Sequence, residues 1–408
     1  MSSFTFYAQR PLERYRKSDP LLLVSMILLW GLGMVSVFSF TSGLRIGNLG
    51  DSMHFVKRQL LGTGVGLVFM LPFAVLNMKT LRKFIPFLCV FSLVLCCLTF
   101  TGLGIHENGA TRWIRIGKFS FQPSELAKLV VVLFLANLFE KQKNTQVEEE
   151  RNFLYPLMGL MTFVTVIVLQ KDLSTAVVVL VVGMLMFFVC GADIKMILLT
   201  TLFGICAVII LIGTSKYRIE RLKTFINPEG FEMTSGFQQR MADLAISDAG
   251  FWGKGFGSGL KRLRSIPEIQ SDYIFAGWAT ATGFLGVIFY LGTLFLFCFR
   301  GVKTALSCPD QFASYGAMGC VMMIVLQSLL NLAVVSGVVP TTGIPLPFFS
   351  HGGSSLVATL GMCGFLINAS HCGAPDEYPD NESFFRIKKR RDENVEIESF
   401  NGVVVENE

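Results

Sequence analysis

Residues 266–283 read IPEIQSDYIFAGWATATG and place one carboxylate, Asp272, directly before a long apolar run. From Tyr273 to Phe299 there is no Asp, Glu, Lys or Arg. A helix needs about 20 apolar residues to cross a bilayer, and this run has them. The fold class follows from that length. The function turns on whether Asp272 is a solvated flank or a group held at the membrane surface for chemistry.

The rest of the chain agrees with a membrane reading. Its 408 residues are 52% hydrophobic and only 16% charged, and the mean hydropathy is +0.56. These values belong to polytopic membrane proteins. Ten charge-poor spans can be read, near 20–42, 59–78, 84–104, 123–140, 153–170, 173–192, 196–214, 272–299, 311–335 and 349–370. The expected fold is therefore an all-α integral membrane protein of ten transmembrane helices, with a large outer loop, about 215–271, between helices seven and eight. Residues 1–19 read as a cytoplasmic segment, 20–371 as the transmembrane domain, and 372–408 as a charged, disordered cytoplasmic tail.

Orientation follows from the basic residues. Arg10, Arg14, Arg16 and Lys17 precede the first span, which places the N-terminus in the cytoplasm. Lys79, Arg82 and Lys83, then Lys141, Lys143 and Arg151, then Arg300 and Lys303 fall on the same side, as do Lys388 to Arg391. The charge-free stretch 335–350 falls outside. Arg112, Arg115 and Lys118 run against the trend. The first 20 residues are polar and followed by too long an apolar run for a cleaved signal. The net charge of +6 is spread over loops. It suits anionic headgroups and gives no nucleic-acid signature. The ten Cys lie mostly inside spans and read as small apolar packing residues, with no metal-ligand spacing.

Four constellations could carry chemistry. In the first, Pro267 suits the opening position of a helix, which would put Glu268 and Asp272 on one face. Both acids could simply favour a helix N-terminus. Alternatively Asp272 is a general base, with its pKa raised by apolar surroundings. In the second, GATRWIRIGKFSFQPSELAK (109–128), Glu125 and Lys128 sit within a span. They either neutralise each other or join Arg112 and Arg115 in a cavity for a phosphate-bearing lipid. The third, Gln170, Lys171 and Asp172, is a tight outer turn that either holds a re-entry or lines that cavity. The fourth, PTTGIPLPFFSHGGSS (340–355), puts irregular backbone at membrane depth, so it must be buried or line a cavity. It reads as a loop folded over the outer opening, with Ser350 and with Gly352 and Gly353 allowing close approach of a ligand; His351 reads as structural. GKGFGSG (253–259) reads as a flexible turn. P-loop, GxSxG, HExxH and dinucleotide motifs are absent.

At these residues the chain resembles the SEDS family, the shape, elongation, division and sporulation proteins. The likeness covers nearly all of 20–370. It is carried by GATRWIRIGKFSFQPSELAK, QKDLSTA, RLKTFINPEGF, GFQQ, GFWGKGFGSG, IPEIQSDYIFA and PTTGIPLPFFSHGGSS, in that order. The resemblance implies a ten-helix fold and a peptidoglycan glycosyltransferase that polymerises lipid II with a class B penicillin-binding protein. It implies Asp272 as the catalytic acid, and Gln238 and Lys254 join Arg112, Arg115, Glu125, Lys128, Gln170, Asp172, Glu268, Ser350, Gly352 and Gly353 as substrate contacts. The expected setting is the bacterial cytoplasmic membrane at the septum, with other divisome proteins, the division branch being nearer than the elongation branch. The chain departs from the family pattern at Thr280 and Ala281, where two Glu are usual, at Lys171 in the QPD triplet, and at His351 in SYGG. Those changes leave open whether a divalent cation, Mg or Mn, takes part. A lipid flippase and a scaffold that activates a penicillin-binding protein remain the alternatives.

Overall fold

A computed structural model describes residues 19–41, 54–107, 110–116, 119–144, 152–226, 235–256, 272–350 and 352–372. Glu268, His351, the N-terminal segment before Asp19 and the tail after Cys372 lie outside the described residues. The described helices are α1 (Pro20–Thr41), α2 (His54–Val75), α3 (Met78–Leu98), α4 (Pro123–Asn144), α5 (Leu154–Leu169), α6 (Leu173–Cys190), α7 (Ile194–Gly213), α8 (Lys216–Ile226), α9 (Ser235–Ser247), α10 (Ile274–Ser307), α11 (Gln311–Val335) and α12 (Gly353–His371). Among the described residues, eight helices are long and apolar enough to cross a membrane. The sequence reading reaches ten by adding α4 and α5. The first carries Glu125 and Lys128 within it, and the second has 16 residues, so ten rests on more than length and apolarity.

The caps explain where the helices begin. Asn77 accepts from the Lys79 backbone N–H at 3.1 Å, Asp193 from that of Lys195 at 2.9 Å, and Asp310 from that of Ala313 at 3.0 Å. Each side-chain oxygen satisfies a donor that the first helical turn leaves unpaired. Helices α11 and α12 are buried along most of their length, while α7 turns Leu198, Leu199, Leu202 and Phe203 outward. An apolar outward face is what a lipid-facing helix needs. Arg82 joins Glu140 at 2.8 Å and Asp310 at 2.6 Å, which ties α3, α4 and α11 together.

Two features correct the sequence reading. The outer segment after α3 is a three-stranded antiparallel sheet in the order β1 (Gly104–Glu107), β2 (Ala110–Ile116), β3 (Phe119–Phe121), so the protein is not purely helical. ATRWIRI is rich in Thr, Trp and Ile, the β-branched and aromatic residues that favour strands. The second feature concerns the span after Asp272, which runs to Ser307, 34 residues, and breaks at Gly283. There φ is 67° and ψ −161°, a conformation open to glycine.

A break in a helix leaves backbone groups without partners. Here residues 250–255 supply them. The Lys254 and Gly255 N–H groups donate to the Thr280 and Ala281 carbonyls at 3.0 and 2.9 Å. The Phe284 and Leu285 N–H groups donate to the Gly250 and Phe251 carbonyls at 3.2 and 3.3 Å. The described part of the GKGFGSG stretch is thus bonded into the break rather than a free turn.

Candidate active site

Asp272 stands in a turn, one residue before the N-cap Tyr273, and α10 starts at Ile274. The expected helix carrying Glu268 and Asp272 on one face therefore does not reach Asp272. Its carboxylate lies under the outer loop instead. A Cβ built on Gly343 would sit 3.3 Å from Asp272 Oδ2, and Gly343 has φ +71°. The backbone carbonyl of Asp272 accepts a 2.9 Å hydrogen bond from Asn331 Nδ2.

The segment 340–350 is irregular and largely buried, as the sequence leads one to expect. Ile344, Leu346, Phe348, Phe349 and Ser350 are all buried. Polar side chains on three helices hold its backbone. Arg221 of α8 donates to the Thr341 carbonyl at 2.8 Å. Ser174 of α6 donates to the Thr342 carbonyl at 2.9 Å. Asn331 and Gln327 of α11 each donate at 2.8 Å, to the Ile344 and Pro345 carbonyls. Finally, Ser350 Oγ accepts from the Leu346 N–H within the segment. That bond makes Ser350 a turn residue of the loop. A Cβ at Gly353 would meet nothing within 4 Å, and one at Gly352 only the Ser355 side chain at 3.5 Å. The loop's close approach to Asp272 falls at Gly343.

Beneath the loop, Glu125 and Lys128 form a 2.7 Å ion pair with side chains 2% and 3% exposed. Lys128 Nζ also donates to Gln327 Oε1 at 2.7 Å. The pair is thus linked through Gln327 to the loop carbonyl at Pro345. Deep burial of two charges is tolerable only when they pair; the second carboxylate oxygen, Glu125 Oε1, has no hydrogen-bond partner among the described residues. Asp172 caps α6 and gathers its own network. It accepts from Gln122 Nε2 at 2.9 Å and from Ser124 Oγ at 3.1 Å, with Arg112 at 3.8 Å. Arg112 also donates to the Lys171 carbonyl. Gln170, buried, donates to the Cys96 carbonyl at 2.8 Å and so fastens α3 to the turn.

Arg112, the 171–174 turn, Thr341, Thr342 and Arg221 thus form one rim beside Gly343 and Asp272. Arg218 belongs to the same edge: burial, and then the positive charge of Arg112, push its pKa below the ordinary value. Like charges held this close favour an anion. Arg115 is exposed on β2 and lies outside the described contacts of this rim. The ammonium of Lys254 pairs with Asp248 at 3.2 Å, with its backbone in the helix break. Gln238 is half-buried, and its neighbour Gln239 accepts from Tyr273 Oη at 3.1 Å. Burial, then the Asp272 carboxylate, raise the Tyr273 phenol well above its usual range, which keeps it a neutral donor.

Sequence reasoning missed Gln327, Asn331, Arg218, Arg221 and Gly343. A signal existed for the first two: in a charge-free apolar run, QSLLN puts two amides four apart, on one helix face. Among the described residues no three His, Cys, Asp or Glu side chains stand together as a cation cage would require, and Thr280 and Ala281 add no carboxylate.

Known proteins resemble this chain in sequence and fold. A family model described as "Cell cycle protein", covering FtsW, RodA and SpoVE, matches residues 20–373. Stage V sporulation protein E of Bacillus subtilis is 37% identical over 364 residues, covering 86% of this chain and 96% of that protein. A protein named probable peptidoglycan glycosyltransferase FtsW, from Trichlorobacter lovleyi, is 32% identical, covering 88% and 94%. Among solved structures, one described as structural coordination of polymerization and crosslinking by a peptidoglycan synthase complex contains a chain with TM-score 0.72 and 28% identity, covering 89% of this chain and 99% of that one. The rod shape determining protein RodA of Thermus thermophilus gives 0.65 and 27%, covering 88% and 98%. This chain belongs to the FtsW, RodA and SpoVE family of cell cycle proteins, the SEDS family.

Proposed function

We propose that this protein is a peptidoglycan glycosyltransferase that polymerises lipid II at the outer face of the cytoplasmic membrane. The observation that carries the reading is the placement of Asp272. It is a single carboxylate at the outer end of a membrane helix, held against the backbone of a buried loop and beside a rim of guanidinium groups. Membership of a family whose relatives carry the name peptidoglycan glycosyltransferase supports it.

In this mechanism Asp272 takes the proton from the acceptor sugar hydroxyl. The resulting oxygen attacks the anomeric carbon of the donor, and the bond to the diphosphate breaks with inversion. The polyprenyl diphosphate leaves as an anion and needs no strong general acid. Its charge is met by Arg112 and Arg221, with Arg218 behind them, as fixed cations in a partly water-excluded site. Apolar outward faces of the helices hold the lipid tails.

The reading extends to a class B penicillin-binding protein as partner, since a related chain stands in a peptidoglycan synthase complex. It also extends to divisome proteins at the septum, the setting that the GFWGKGFGSG and SIPEIQSD wording favours. The test is incubation of purified protein and partner with fluorescent lipid II. Glycan strands longer than the starting disaccharide are the expected product. Transfer of labelled lipid across a vesicle without strand formation would replace this reading with a flippase. Strand synthesis that depends wholly on the partner's own domains would replace it with a scaffold.

A further inference from the structure

We propose that Asn331 is a positioning residue for Asp272: one buried side-chain amide fixes the base and the loop above it at the same time. The inference rests on the glycosyltransferase reading. Asn331 is 1% exposed and lies in the apolar helix α11. Its Nδ2 donates to the Asp272 carbonyl at 2.9 Å and to the Ile344 carbonyl at 2.8 Å. Both neighbours are carbonyl oxygens, so only the NH2 group can face them, which fixes the orientation of the amide.

Neither carbonyl lies within a helix or a strand. Asp272 sits one residue ahead of the N-cap, outside the hydrogen-bond ladder of α10. Ile344 belongs to an irregular segment with no ladder at all. Asn331 satisfies both, and in doing so sets the spacing between the turn that carries the carboxylate and the loop whose Gly343 packs on it. Its own Oδ1 has no hydrogen-bond partner among the described residues. A buried amide that leaves its acceptor unmet is retained for its donors. One turn away Gln327 repeats the motif, donating to the next loop carbonyl while it accepts from Lys128.

The same molecule holds a control. Asn368 of α12 is also a buried double donor, to the Phe73 and Leu76 carbonyls at 2.8 and 2.7 Å. It grips the turn between α2 and α3, at the opposite end. The full chain, with its penicillin-binding partner, is assayed for polymerisation of labelled lipid II as wild type, Asn331→Ala, Asn331→Asp, Asn368→Ala and Asp272→Asn, with thermal stability of each measured in parallel. Asn331→Ala is expected to lower kcat between about 10-fold and about 100-fold, the loss that misplacement of a reacting group by up to 1 Å brings, with KM within about twofold. Asn331→Asp should do no better, since a carboxylate offers the two carbonyls no donor. Asn368→Ala should melt earlier but keep its kcat per folded molecule. Equal kcat for Asn331→Ala and Asn368→Ala, with Asp272→Asn inactive, overturns the positioning role alone. Wild-type turnover by Asp272→Asn overturns the base assignment and the positioning role with it.

Discussion

Replacing Gly343 with alanine probes the contact between loop and carboxylate directly. The perturbation has two parts. Gly343 has φ +71°, and an L-residue in the left-handed region costs about 1–2 kcal/mol. The new Cβ would also lie 3.3 Å from Asp272 Oδ2, tight enough that the carboxylate or the loop must yield by a few tenths of an ångström. A misplacement of 1 Å can lower turnover about 100-fold, so a shift of about half that size corresponds to about tenfold. Gly191→Ala separates the two parts. Gly191 ends α6 with φ +82°, and a Cβ there would meet nothing within 4 Å. It carries the same backbone strain without the contact. Thermal unfolding of both variants should show a similar loss of about 1–2 kcal/mol, while initial rates of lipid II polymerisation should fall about tenfold only for Gly343→Ala. Full activity in Gly343→Ala, or an equal drop in Gly191→Ala, would refute the reasoning.

Three other outcomes follow from the same geometry. Lys128→Ala leaves Glu125 buried without its partner at 2.7 Å, so stability should fall by about 3–5 kcal/mol, with a smaller loss for the neutral pair Glu125→Gln with Lys128→Met; equal melting of the two variants would contradict this. Arg221→Ala should raise KM for lipid II by roughly tenfold or more, the worth of a charged hydrogen bond, with Arg221→Lys only a partial rescue. An unchanged KM would remove Arg221 from the diphosphate rim. Gly283→Ala would put a Cβ 2.2 Å from the Gly253 nitrogen and should destabilise the fold by about 3 kcal/mol or more, exposing residues 248–256 to limited proteolysis; protection equal to wild type would mean that the helix break does not depend on that segment.

The parts of the fold written in composition and run length were legible from the sequence. Apolar runs of the right length marked the membrane helices, and the Pro and Gly of PTTGIPLPFFSHGGSS marked buried irregular backbone, because a bilayer allows few other solutions. The ion pair of Glu125 and Lys128 was legible because charges three apart on a helix must meet something. Asp272 was legible as the lone acid ahead of an apolar run. The remainder depends on long-range contact. That Asp172 would be drawn to Gln122 and Ser124, that Arg221 would grip Thr341, and that Gly343 would make the loop's close approach to Asp272 are properties of segments 48 to 120 residues apart, which no local pattern encodes. The splice of 250–255 into α10 was hidden for the same reason, since Gly283 in an apolar run looks like any helix glycine until its partner is seen. The strands of 104–121 left their mark only in the β-branched and aromatic residues of ATRWIRI, which the expectation of a plain outer loop passed over.

The central claim is that Asp272 is the base of a glycan polymerase. Its most direct test is the rate of strand synthesis from labelled lipid II by wild type and Asp272→Asn, each purified with its partner and shown to be equally folded. Asparagine keeps the shape and removes the charge and the basicity. The account predicts strands from wild type and none above background from Asp272→Asn. Strands of similar length and rate from both would contradict it.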